Sequence, residues 1–134
     1  MSYRTDLLSD ITTKVAGTSF RVSTELPWQS GDVPLYVKNK KNIYIDQDQT
    51  DVTDMILTIS HDCDIYQRDT VVEAYVAVDA KNEPSDTDSM VESLISAKDS
   101  ITGNIKNLCE VQTEITGDVN VYTFTYTFTK LYNV

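Results

Sequence analysis

The hydrophobic pattern is clearest at the C-terminal end, where two long runs flank Gly117-Asp118. Cys109 to Ile115 precedes that pair, and Val119 to Tyr132 follows it. In the second run Tyr122, Phe124, Tyr126, Phe128 and Tyr132 fall on one face, and Val121, Thr123, Thr125, Thr127, Thr129 and Leu131 on the other. A repeat of two is the side-chain period of a strand and does not fit the 3.6-residue turn of a helix. The spacing therefore predicts a C-terminal hairpin. Its aromatic row needs a layer to bury it, while the threonine row suits water or a neighbouring chain.

Upstream, Leu7, Leu8, Ile11 and Val15 form the stripe of a short amphipathic helix from Ser2 or Tyr3 to Ala16, stopped at Gly17. A short strand is predicted over Ser19–Thr24. Glu25 to Pro34 reads as a loop, because two prolines and a glycine interrupt any ladder. Leu35–Val37 and Ile43–Ile45 flank five polar residues and read as a small hairpin. Asp46 to Asp54 is polar and acidic, and strand character resumes from Val52 to His61, with Ile65-Tyr66 continuing it across a bulge. Gln67-Arg68-Asp69 is predicted to turn into a central strand, Thr70–Asp79, with Val72, Ala74, Val76 and Val78 on one side. After a turn at Lys81–Pro84, Ser85 or Asp86 is placed to cap a helix through Met90, Val91, Leu94, Ile95, Lys98 and Ile101, ending at Gly103-Asn104. Ile105 to Leu108 reads as a connection or an extra turn. Helices interleaved with antiparallel pairs define an α+β fold, a mainly antiparallel sheet with two helices on one face and a closing β-hairpin.

Composition narrows the functional classes. The 134 residues suit one domain with its own core. The formal charge of −10 argues against a surface that grips phosphate backbones, which requires clustered Lys and Arg. Cys63 and Cys109 share no metal or redox spacing and read as free thiols of a reducing compartment. The first residues carry no signal-peptide pattern and no run approaches a membrane span, so a soluble, cytoplasmically made protein without a membrane role is expected.

Candidate chemistry is sparse. Asp46, Asp48, Asp51 and Asp54 invite comparison with a calcium loop, but Asp51 stands where the required glycine belongs and Leu57 where the bidentate glutamate belongs. A solvated acidic loop is the simpler reading. His61-Asp62-Cys63-Asp64 brings an imidazole, a thiol and two carboxylates together, but with a single histidine in the chain a zinc site lacks ligands. Side chains two apart on a strand also stand parallel, which disfavours a Cys63–His61 nucleophile pair. Pairing Asp46 or Asp48 with Glu110 or Glu114 as acid and base has no local support. The four glycines are isolated and form no phosphate loop. No enzyme activity, cofactor or metal is expected. The residues that suggest contact are Trp28, in a Leu26-Pro27-Trp28 loop, and the basic tip Lys38, Lys40 and Lys41. Trp28 reads either as a local core plug or as an anchor at a subunit interface, where a large rigid aromatic contributes strongly. The lysine tip reads as a solubilising turn or as a touch point for DNA or an acidic neighbour.

The N-terminal helix Tyr3–Ala16, the Leu26-Pro27-Trp28 loop with the Pro34-Leu35-Tyr36 turn, a long strand pair around Gln67-Arg68-Asp69, one helix around Met90–Ile101 and a closing hairpin through Thr129 together resemble the tail terminator (tail completion) proteins of long-tailed bacteriophages and related minor tail and neck proteins. The resemblance lies in size and element order and transfers no functional residue. It implies a homohexameric ring in the virion, assembled in the host cytoplasm, that caps the tail tube and meets the head-completion or connector protein while DNA passes through. An acidic lumen would adhere poorly to a passing duplex. The alternative expectation is a small acidic protein that occupies a basic site on a partner, as an inhibitor or DNA mimic. A small hydrolase or isomerase relying on His61 and the acidic residues is a third.

Overall fold

The computed structural model describes residues 2–26, 41–60 and 63–133, with side chains described for these except 51–60, 63–66, 116, 132 and 133. Helix α1 spans Tyr3–Lys14, and α2 spans Thr87–Ser96. The strands are β1 Arg21–Val22, β2 Asn42–Ile45, β3 Gln49–Ser60, β4 Cys63–Asp79, β5 Lys106–Thr116 and β6 Val119–Asn133. They form a six-stranded sheet in the order β1-β2-β4-β6-β5, with β3 paired to β4 beside β2. Only the β1–β2 pair is parallel among these pairings. The α+β architecture and its C-terminal hairpin are as the residue pattern indicates.

The centre is β4 against β6. Their register runs unbroken from Ile65 opposite Asn133 to Asp79 opposite Val119. β6 alternates aromatic with β-branched residues and β4 presents Val72, Ala74, Val76 and Val78 at every second position, so one face of this pair is apolar along most of its length. Val72, Ala74, Val76 and Val78 from β4, with Phe124, Tyr126 and Phe128 from β6, are buried on that face. Leu7 and Ile11 of α1, Val15 just after it, and Met90 and Leu94 of α2 join them in a single cluster with Ile43 and Ile45 of β2. The Tyr3 ring stacks on Phe128 at 4.5 Å between centroids, and the Tyr126 hydroxyl donates to the Leu94 carbonyl. Thr123, Thr125 and Thr127 on the opposite face stay partly exposed. A small second cluster, Ala77, Val119 and Val121, lies on that threonine side.

The helices end by local chemistry. Ser2 caps α1 by accepting from the Thr5 N–H at 3.2 Å. The helix closes at Lys14, before Ala16, and Gly17 follows at φ 82°. Asp10 and Lys14 pair along its surface at 3.0 Å, and the Lys14 ammonium also donates to Ser96 Oγ, joining α1 to α2. α2 stops at Ser96 and tightens into a 3-10 turn over Ala97–Ser100. Asp86 occupies the position before α2, but its carboxylate accepts from Ser19 N and Ser19 Oγ at 2.9 and 2.6 Å instead of capping the helix.

Several boundaries differ from the sequence expectation. Gln67-Arg68-Asp69 is no turn but the middle of β4, paired on one side with Thr53, Val52 and Asp51 and on the other with Leu131, Lys130 and Thr129. A polar triplet without glycine or proline fits a strand whose backbone is saturated from both sides. Ile65-Tyr66 consequently belong to β4, and Ser60 faces Cys63 across the β3–β4 hairpin. The register shifts of that hairpin fall between Thr53 and Ile56 and between Thr58 and Ser60. The acidic stretch from Asp46 is strand from Gln49 onward, the Ser19–Thr24 strand shrinks to two residues, and Ile105–Leu108, expected as a connection, is largely the start of β5. Leu35–Val37 lie outside the described residues, and β2 pairs with β1 and β4. The β5–β6 turn is Gly117-Asp118, with φ 62° at Gly117 and no positive φ at Asp118, the signature of a type II′ turn with glycine first.

Candidate interaction surface

Two of the acidic residues singled out for chemistry, Asp46 and Asp48, have structural tasks, and the side chains of Asp51 and Asp54 lie outside the described residues. Asp48 lies just before β3, and its two carboxylate oxygens accept from Tyr3 N–H at 2.8 Å and Arg4 N–H at 2.9 Å. Those N–H groups open α1, have no partner within a helix, and sit at its positive end. The loop therefore caps the helix. Arg4 in turn donates from Nε to the Ile45 carbonyl and from Nη2 to the Thr24 carbonyl, tying the first turn of α1 to β2 and the segment after β1. Asp46 accepts from the Gln47 N–H at 2.7 Å. Glu110 and Glu114 lie on β5, three strand positions from β2, an interval of roughly 14 Å at ordinary strand spacing. Asp46 and Asp48 are thus not brought together with them.

His61 and Asp62 lie outside the described residues, as do Trp28, Lys38 and Lys40. Cys63 and Asp64 begin β4. Among the described residues no three His, Cys, Asp or Glu side chains cluster as metal ligands. Lys41 is exposed at the start of β2, where its carbonyl accepts the Arg21 N–H at 3.0 Å. Its charge adds to the Ser19 hydrogen bonds that hold the Asp86 carboxyl below its ordinary value, the Ser19 bonds being the larger cause. Cys109 is half-buried under the core face, and burial lifts its thiol to about 11, so it stays protonated at neutral pH.

A cleft of about 530 Å³ opens where α1, the end of the 3-10 turn with the two residues after it, and strands β3, β4 and β6 meet. Asp6, Asp48, Arg68 and Lys130 line it with the hydroxyls of Thr70 and Ser100. Among the described residues its lining contains no histidine or cysteine, and one of its carboxylates is already engaged at the helix N-terminus. The described residues of this cleft offer hydrogen bonds but no paired nucleophile and base.

The other outstanding feature is the outer edge of the sheet. Among the described residues β5 pairs with β6 alone, in a register without interruption from Lys106 to Thr116. Lys106, Leu108, Glu110 and Gln112 through Ile115 are exposed. Ile115 keeps 74% of its surface accessible, Ile105 61% and Leu108 40%. These are three of the four large exposed hydrophobics among the described residues, the other being Leu131. The strand is 11 residues long and lacks proline. Proteins usually protect such an edge by bulges, prolines, charged side chains or a covering element, and among the described residues the protection here is the charges of Lys106, Glu110 and Glu114. Sequence alternation did not reveal this surface, because it reports which face a residue takes and not which strand lies outermost.

No helix among the described residues is long and apolar enough to cross a membrane. No protein family model matches the sequence, and no curated protein sequence matches it.

Proposed function

We propose that this chain is a structural assembly subunit of a long-tailed phage, forming a homohexameric ring that caps the tail tube and joins it to the neck. The observation that carries the reading is the order of elements: an N-terminal helix, a long β3–β4 hairpin, a second helix laid on the same face, and a closing β5–β6 hairpin. That order is the basis of the resemblance to tail terminator and neck proteins. An open sheet sealed by helices on one side leaves edges through which copies can join, and a closed ring repeats one such contact. Its partners in this reading are further copies, the tail tube protein and the head-completion or connector protein, with DNA passing through the opening.

Light scattering across protein concentration and salt, followed by negative-stain imaging with and without tail tubes, tests the reading. Rings of about six subunits, seated on tube ends, are the expected result. A salt-independent monomer that binds and blocks a basic protein would overturn it in favour of the acidic inhibitor.

A further inference from the structure

We infer that β5 is a self-complementary docking edge, and that its outer side pairs antiparallel with β5 of a second copy so that Glu110 faces Glu110 across a two-fold axis. In this register Ile105 of one copy lies opposite Ile115 of the other, Lys106 opposite Glu114, Asn107 opposite Thr113, Leu108 opposite Gln112 and Cys109 opposite Val111. The assignment follows from what the edge exposes. Ile115 on the strand and Ile105, which immediately precedes it and donates its N–H to the Thr129 carbonyl at 2.9 Å, are the two most accessible large hydrophobics among the described residues, and in this register each would cover the other. Lys106 and Glu114 are both exposed, share the face of the threonine row, and meet twice by symmetry. Directly opposed residues in an antiparallel pair have Cβ atoms roughly 5 Å apart, close enough for both contacts.

Neighbouring registers fit less well. Centring the pair on Cys109 sets Lys106 against Gln112 and gives no ion pair. Centring it on Leu108 sets Lys106 against Glu110 but leaves Ile115 and Glu114 uncovered. The inferred register engages the whole strand at the cost of one like-charge contact, Glu110 with itself. It continues the sheet across the axis and removes the open edge from both copies. This two-fold contact is separate from the head-to-tail contact that a ring repeats, and both together would stack rings in pairs.

The test uses the full chain with Cys63→Ser and Cys109→Ala. Glu110→Cys in that background is expected to form a covalent dimer in a glutathione redox buffer, and Gln112→Cys is not, since it faces Leu108. Absence of the Glu110→Cys dimer, or equal crosslinking of both variants, overturns the register. In parallel, sedimentation velocity on variants with native cysteines measures the dimer directly. Lys106→Glu is expected to weaken it roughly tenfold, from two lost and reversed charge pairs. The double variant Lys106→Glu/Glu114→Lys restores it, and Glu110→Gln tightens it. A double variant as weak as the single one overturns the proposal even if a cysteine variant fails to fold. Six-subunit rings without crosslinking at 110 would refute this contact alone, whereas crosslinked dimers without rings would refute the ring alone.

Discussion

Replacing Asp48 by alanine removes the carboxylate that satisfies the first two N–H groups of α1. The two bonds, 2.8 Å to Tyr3 and 2.9 Å to Arg4, are short and charge-assisted. They are only partly buried, so water re-solvates some of what the variant exposes. Losing a cap costs about 0.5–2 kcal/mol, and two bonds to one charged group place this case in the upper half, at about 1.5 kcal/mol. Ser2 continues to cap through Thr5, which keeps the loss from growing further. Asp48→Asn keeps one acceptor and turns a donor toward the other N–H, so it should lose about half as much. Urea unfolding followed by far-UV circular dichroism measures both. With a slope of about 1.5 kcal/mol/M the midpoint of the alanine variant falls by about 1 M, with the slope unchanged. An alanine variant that matches the wild type, or an asparagine variant less stable than alanine, would refute the capping argument.

Other outcomes follow from the same packing. Phe128→Ala empties a fully buried site beneath the Tyr3 ring and should cost about 3–5 kcal/mol in urea unfolding, whereas Thr125→Ala on the threonine face should cost under about 0.5 kcal/mol. Gly117→Ala meets no neighbouring atom within 4 Å, so its expected loss of about 1–2 kcal/mol is backbone strain at φ 62° alone, and Gly117→Asn should recover part of it. Burial raises Cys109 from 9.0 to about 11 and Tyr122 from 10.0 to about 12, with the Glu83 hydrogen bond adding to the tyrosine shift. The unfolded chain therefore releases these protons first as pH rises. Stability from both groups is complete below about pH 9 and is lost progressively toward pH 12, and Cys109→Ala should flatten the first part of that decline in a thermal-melt series.

The residues alone determined the parts whose signal is local. Alternation along Val119–Tyr132 specified a strand and the facing of Phe124, Tyr126 and Phe128, and the stripe Leu7, Ile11, Val15 specified a helix with that face inward. Burial follows periodicity closely because a strand or helix has only one way to hide such a row. Tertiary pairing decided the rest. Gln67-Arg68-Asp69 looks like a turn until β3 and β6 saturate its backbone on both sides, because polarity does not distinguish a turn from a strand running beyond the helical layer. Asp48 looks like one of several acidic loop residues until the fold carries it 45 positions away, to the start of α1. The open edge at β5 likewise has no local sign, since which strand lies outermost depends on the order of all six. The contact residues expected from sequence, Trp28, Lys38 and Lys40, lie outside the described residues, and Lys41 sits at the opposite margin of the sheet from β5. Periodicity fixes what a segment is and which way it faces; only long-range pairing fixes its neighbours, and the candidate docking edge is a property of neighbours.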